Sequence, residues 1–531
     1  MRHVEARAGA YADSVTLMQV TAQAQAIPGV QAALVAMATD LNLGLLADLG
    51  LQPPDRAGPN DMLVAVQADD GESLATALAA VDNALRSRPA DQAGAAEQPP
   101  RTTFSAARRA GTGLALISVP GQFAFIEAVD ALDAGCDVMI FSDNVPVEEE
   151  VWLKDRAAER GLLVMGPDCG TAIVAGIGLG FSHSVPAGPI GLVAASGTGA
   201  QQVVCLLDAA GCGVSAVLGV GGRDLSAAVG GRSARAALAA LDADPATELI
   251  VLLSKPPAER VAAELREYAA TLATPVQFAL IGSGQPDLTT ATEAALRATG
   301  QQVPAWPVWP AAGDAAPPAG RAGTGALRGL FAGGTLCDEA MVIAAERLGP
   351  VYSNTPLRPQ WRLDPRGPAD PRGSRGSRGS RGSSESVASD QSGPWHIMID
   401  FGDDELTAGR PHPMIDHRLR LDRLAAEVAD PATAVIMLDV VLGHAAHPDP
   451  AAEIAPTITA AHAARAASAA SAAGFGTELA VVVSLIGASS DPQGLTAQAT
   501  ALAAAGAHVF ASNAQAARFA CGLVGGIGGT I

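Results

Sequence analysis

The sequence predicts an α/β protein, with a small α+β unit at the N-terminus followed by units built on parallel sheets. Three observations carry this. From about residue 111 onward, short continuous apolar runs alternate with helix-length amphipathic stretches, the pattern of strands buried on both faces and joined by crossover helices. Hydrophobic residues make up 49% of the 531 but aromatic residues only 4%, so the cores must be close contacts of Ala, Val, Leu and Ile between helices and sheets. Pro-, Gly- and Ala-rich stretches at 88–103 and 301–325 read as linkers. The length calls for about three or four domains. The boundaries read as 1–95, 104–186, 187–300 and 326–531, the last with an insertion at about 364–394.

Taken in order, residues 15–20, 30–36 and 61–66 read as strands of the first unit, with a helix over 72–87. The second unit has a strand at 114–119 ending in Pro120-Gly121, a helix over 123–134, a strand at 138–141, a helix at 147–160 and a strand at 162–165. The third opens on a strand at 190–194. In the fourth, Gly373 to Arg381 repeats a Gly-Ser-Arg triplet, which reads as a disordered, solvated insertion rather than an RNA contact.

The formal net charge of -20 argues against nucleic acid or an anionic membrane as a partner. No apolar run of about 20 residues and no basic-then-apolar leader is seen, so a cytoplasmic protein with no membrane contact is expected. The six cysteines show no metal-type spacing and read as free thiols; no metal site is expected. Lys154 and Lys255 are the only lysines beside 32 arginines (34 basic residues less two), which reads as coding bias.

Two glycine-rich loops each follow a strand and open a helix. The first is Ser196-Gly197-Thr198-Gly199; the second is Gly333-Gly334-Thr335. Free amides and the helix dipole make such a turn an anion site, and hydroxyls add donors. The plainer alternative is a capped βα turn. Cys337, in the first turn of the second helix, is either an activated thiolate or a buried small residue. In the acidic stretch 400–405 and the following 409–416, Arg410 is a bidentate partner for an anion and His412 an acid or base; the alternative is a solvated loop. Asp439 and His447 lie near the end of the strand 434–441, where ligands gather in open α/β sheets, or are structural. Ser512-Asn513 is a further contact or a helix cap.

Gly166-Pro167-Asp168-Cys169-Gly170, the 188–200 loop and Gly219-Val220-Gly221-Gly222-Arg223-Asp224 resemble, in order and spacing, the α subunit of succinyl-CoA ligase. The 331–338 loop is similar to one in the ligase β subunit. The whole chain, except 351–395, resembles the FdrA family, in which α-like and β-like parts follow a small N-terminal domain. The resemblance implies a Rossmann-like CoA-binding-type domain at 104–186, here partial, and flavodoxin-like ligase-type domains after it. It implies that the two helix starts face each other across a phosphoryl group, with Ser196, Gly197, Thr198, Gly199, Gly333, Gly334 and Thr335 as the anion site. It places Pro120 and Asn144 at a CoA and Gly221, Gly222 and Arg223 in a substrate loop. CoA is thus a candidate cofactor and none is fixed.

The sequence also departs from the ligase pattern. Residues 283–298 contain no histidine, where the ligases carry the phosphorylated one, and no ATP-grasp domain is visible. The resemblance therefore implies a transferase subunit that takes a small anionic substrate, carbamoyl phosphate or another acyl phosphate, and works with partner subunits. Oxamate carbamoyl transfer in allantoin catabolism is the activity linked to the family. An ADP-forming acyl-CoA ligase with an external ATP-grasp chain is the alternative. A noncatalytic binding or regulatory protein is the third.

Overall fold

The computed structural model describes all residues except 11, 53, 55–56, 87–99, 313–324, 364–394, 408–409, 472–478 and 526–531. The triplet-repeat insertion, most of the expected linker at 88–103 and residues 313–324 of the one at 301–325 lie outside the described residues.

The N-terminal unit runs β1 (Arg2–Arg7), α1 (Ser14–Gln25), β2 (Val30–Met37), α2 (Asp40–Asp48), β3 (Met62–Ala68) and α3 (Gly71–Arg86). Its antiparallel sheet has the order β1-β3-β2. Leu17, Val20, Val64, Val66, Ala77 and Val81 form its core. Residues 15–20, expected as a strand, lie in α1. Their β-branched content misled, because the Asp13 carboxylate caps the helix by accepting from the Thr16 amide at 2.9 Å. β1 gave no sequence signal. It pairs only with β3 and is partly exposed, so it needs no apolar run.

A second unit comprises α4 (Thr103–Ala110), β4 (Leu114–Ile117), α5 (Gly121–Asp133), β5 (Asp137–Ile140), α6 (Val147–Glu159) and β6 (Val164–Met165). Its parallel sheet has the order β4-β5-β6.

Next come β7 (Thr171–Val174), β8 (Ile177–Gly180), β9 (Ala187–Ala195), α7 (Gly197–Ala209), β10 (Val214–Gly219), α8 (Arg232–Asp242), β11 (Leu249–Ser254), α9 (Glu259–Ala269), β12 (Val276–Leu280) and α10 (Leu288–Ala298). They form a six-stranded sheet, β12-β11-β9-β10-β7-β8. β7 pairs antiparallel with β10. The sheets therefore divide between Met165 and Thr171, upstream of the boundary read at 186/187.

The last unit comprises β13 (Val308–Trp309), β14 (Ala326–Phe331), α11 (Gly334–Leu348), β15 (Val351–Tyr352), β16 (His396–Asp400), α12 (Asp404–Thr407), α13 (Arg418–Ala429), β17 (Thr433–Val441), α14 (Pro450–Ser471), β18 (Ala480–Ile486), α15 (Leu495–Ala504), β19 (Ala507–Phe510) and α16 (Asn513–Gly525). The sheet order is β13-β19-β18-β17-β14-β16-β15. β13, inside an expected linker, adds antiparallel to the β19 edge.

Within each large sheet the first parallel strand sits between later neighbours, β9 between β10 and β11, and β14 between β16 and β17. Successive crossovers thus leave in opposite directions, which opens a crevice beyond the strand ends at that point. Ser196 follows β9 and Gly333 follows β14, so each glycine loop sits at such a crevice. A buried polar seam holds the two units together. The Asn513 amide donates to Gln202 at 2.8 Å, and Asn513 Nδ2 donates to Glu339 at 2.7 Å. Glu339 in turn accepts from the amide of Leu288, at the start of α10, at 2.7 Å. Ser512 accepts from the Gln515 amide at 3.1 Å, so it is a helix cap.

Candidate functional site

The two helix starts meet. Ser196 caps α7 by accepting from the Gly199 amide at 3.0 Å, and its hydroxyl shares a short hydrogen bond with that of Thr335 in the first turn of α11. Glycine permits the approach. A Cβ at Gly333 would stand 2.8 Å from Thr198 Cγ2, and one at Gly199 2.7 Å from Ser196 Oγ and 3.0 Å from Thr335 Cγ2. Gly197 differs, since a Cβ there would meet only Thr171 Oγ1, at 3.5 Å. The positive ends of both dipoles and the first-turn amides therefore converge on one small volume.

Part of the second loop is already occupied from within. The Asp439 carboxylate accepts from the amides of Ala332 and Gly333 at 2.7 and 2.8 Å and from Arg420 at 2.7 Å. Asp439 is fully buried. Burial pushes its carboxyl up, against the opposing pull of Arg420 and the two amides. The sequence left Asp439 as either a catalytic, ligand-facing residue or a structural one. Each of its side-chain contacts is with the loop amides or Arg420, which leaves the amides from Gly334 onward for a ligand.

Charged groups surround the paired starts. A Cβ at Gly334 would lie 2.6 Å from Asp400 Oδ2 and 2.9 Å from Lys255 Nζ. Lys255 follows β11 and stands 3.9 Å from Asp338, just past the first turn of α11. Enclosure by protein acts to lower its pKa, but Asp338, Asp400 and Asp168 outweigh this and hold the ammonium above its ordinary value. Asp168 comes from the turn after β6. Enclosure, then Asp404 and Asp143, raise its carboxyl to about 7, with Lys255 and Arg223 opposing. Asp168 is nevertheless solvent-exposed. Burial pushes Asp400 up to about 7 as well; Asp338 and Asp403 add to this, and Lys255 and the Gly402 amide oppose it.

This sets a pH dependence. The folded Asp400 binds its proton up to about 7 and the unfolded group only to about 3.8, so stability falls as pH rises through that window. The shift corresponds to at most on the order of 4 kcal/mol. Asp400→Asn is expected to flatten the decline in urea-unfolding free energy between pH 5 and pH 8 and to be more stable than wild type at pH 8. Glu339, also held near 7 by burial, keeps part of the slope. Equal slopes in variant and wild type would contradict this assignment.

The remaining expected residues divide. His412 joins the site, since its Nε2 and Asp400 Oδ1 both border Gly402, at 3.1 and 3.2 Å from a Cβ there. Its Nδ1 accepts from the Met414 amide at 3.2 Å, and burial, then Arg420, lower its pKa to about 4. It is a neutral imidazole with its proton on Nε2. Arg410 is exposed, and its amide donates to the Thr407 carbonyl at 2.9 Å. His447 is turned toward its own loop and α14. Its Nδ1 accepts from the Asp449 amide at 3.1 Å, and its Nε2 lies 3.3 Å from Glu453. Gly221 and Gly222 pack against the 166–168 turn. Arg223 is fixed by Glu150 at 3.0 Å and by the Val145 carbonyl at 2.8 Å. Pro120 takes the N-cap position of α5 with no side-chain cap bond, and the 143–144 backbone closes on Gly121; Asn144 is exposed. Cys337 is buried, and burial raises its thiol well above its ordinary value, so it is not an activated thiolate. Lys255, Asp168, Asp338 and Asp400 were not singled out from the sequence as site residues. The rarity of lysine in an arginine-rich chain was the available signal.

The Escherichia coli (strain K12) protein YahF, described as uncharacterized, is 37% identical over 524 residues, 95% of each chain. The chain belongs to the YahF family. Residues 1–101 match the family described as AllF, heavy metal-associated domain, although they contain no cysteine. Residues 330–523 match the CoA-ligase family. The α subunit of the ADP-forming succinate–CoA ligase of Aquifex aeolicus (strain VF5) is 30% identical over 29% of this chain and 51% of its own, so the chain spans about half the length of that relative. These matches place the chain in the succinyl-CoA ligase-like superfamily. The solved dinucleotide-forming acetyl-coenzyme A synthetase 1 of Ca. Korarchaeum cryptofilum, in complex with phosphate and ADP, aligns at 15% identity over 78% of this chain and 82% of that one, with a TM-score of 0.27. That likeness is too distant to bear on the site. Among the described residues no helix is long and apolar enough to cross a membrane.

Proposed function

We propose that the chain is a subunit of a carbamoyl- or acyl-phosphate-dependent transferase, with the phosphate held over the paired starts of α7 and α11. The convergence of Ser196, Thr198, Gly334 and Thr335 carries this reading. Preorganised amides and hydroxyls aimed at one volume stabilise a phosphate leaving group without reorganising. With no histidine in residues 283–298, the phosphoryl group arrives on a diffusible substrate. Oxamate carbamoyl transfer, with partner subunits, is the specific activity we assign. Mixing the chain with its partners, oxamate and carbamoyl phosphate is expected to release inorganic phosphate and carbamoylated product. Silence with every partner present would sink the assignment.

The CoA-ligase match over 330–523 favours a second reading, an ADP-forming acyl-CoA ligase that borrows an ATP-grasp chain. That reading requires labelled ATP to mark a histidine of this chain. A third, a noncatalytic regulator, requires turnover of the assembled complex to survive disruption of the helix starts.

A further inference from the structure

Lys154 and Lys255 are the only lysines in a chain with 32 arginines (34 less two), and both sit inside charge clusters. Lys154 is buried against Glu150 at 2.7 Å and Asp224 at 2.8 Å, where its donors are spent. Lys255 is different. Its side chain is 43% exposed, Asp338 at 3.9 Å is beyond hydrogen-bond distance, and among the described residues no hydrogen bond is made by its ammonium. The head lies against Gly334 at the start of α11, where glycine leaves room for it. A compact ammonium with three donors fits such a corner, and the broad guanidinium fork does not.

Asp168, in the turn after β6, lies within electrostatic reach of Lys255. It adopts a left-handed backbone, φ 57°, and its Oδ2 lies 3.4 Å from where a Gly222 Cβ would stand. Among the described residues its carboxylate receives no hydrogen bond. The charged groups around it are Asp404, Asp143, Lys255 and Arg223.

We propose that Lys255 is the cation that holds the leaving phosphate and that Asp168 is the base that takes the proton of the attacking nucleophile. This rests on the acyl-phosphate reading above. The nucleophile's nitrogen or oxygen bonds to the acyl carbon, and the bond from that carbon to the phosphate oxygen breaks, its electron pair leaving with phosphate. The nucleophile's proton passes to Asp168, and Lys255 stays protonated throughout. A carboxyl with a pKa near neutrality suits that task.

The test titrates the full chain with inorganic phosphate by calorimetry and follows turnover of the complex assembled with its partners. Lys255→Met should weaken phosphate binding about 30-fold or more, with Lys255→Arg recovering only part of it. Asp168→Asn should bind phosphate at least as well as wild type, yet lose about 100-fold in kcat. The limb of the kcat–pH profile near 7 should go with it. If wild type fails to bind phosphate, the acyl-phosphate reading itself falls. If wild type binds and Lys255→Met binds equally, or Asp168→Asn keeps its turnover and pH limb, the roles given to these two residues are wrong. Circular dichroism of each variant separates misfolding from these outcomes, and Lys255→Arg and Asp168→Asn, which change few atoms, keep the question answerable.

Discussion

Asp439→Ala is expected to destabilise the chain by about 3–5 kcal/mol, the range for breaking a buried ion pair by removing one partner. The carboxylate is fully buried and serves three donors, the amides of Ala332 and Gly333 and the guanidinium of Arg420. Arg420 is itself buried, and its Nη1 also donates to the Asp439 carbonyl at 2.8 Å. Alanine would leave a buried guanidinium without its counter-charge and two loop amides without acceptors. Asp439→Asn keeps the shape and one acceptor and should lose less. Pairing Asp439→Leu with Arg420→Met removes both charges together and should recover much of the loss, since buried pairs are often replaceable by apolar residues. Urea unfolding at pH 7 reads all three. A cost below about 1 kcal/mol for Asp439→Ala would contradict the role of the carboxylate as the loop's internal anchor.

The second large effect is on binding. Gly199→Val places branched carbon where Ser196 Oγ, Leu253 Cδ1 and Thr335 Cγ2 already stand within 3.0 Å of a Cβ. The two helix starts must then move apart. A displacement on the order of 1 Å in a preorganised site costs about 100-fold, and that loss is expected in phosphate affinity. Gly197→Ala, two residues earlier and free of close contacts, is the control and should stay within about 3-fold of wild type. Calorimetry on both variants, with thermal unfolding to confirm folding, checks the pair. Equal behaviour of the two glycines would mean that the approach of α7 to α11 does not govern binding.

Much of the architecture was legible because it follows from burial. The apolar runs in β9, β11 and β17 mark strands covered on both faces, and the glycine loops mark where helices start against the sheets. What stayed illegible depends on neighbours distant in sequence. β1 carries no apolar pattern because it is a partly exposed edge. The 15–20 segment reads as β until the Asp13 cap decides it. At the site, the sequence showed Asp439 at a strand end and could not show that Arg420 and two amides consume it. It also could not show that Asp168 and Asp400, each from a different strand end, come within electrostatic reach of Lys255. Only the order of the sheets brings those ends together.

The central claim is that the starts of α7 and α11 form a single phosphate site. A crystal of the full chain soaked with carbamoyl phosphate tests it most directly. The expected result is tetrahedral density over the hydrogen-bonded Ser196–Thr335 pair, within hydrogen-bond reach of the Thr198 hydroxyl, the Gly334 amide and Lys255. Density at another place in the fold, with no anion over the two helix starts, would contradict it.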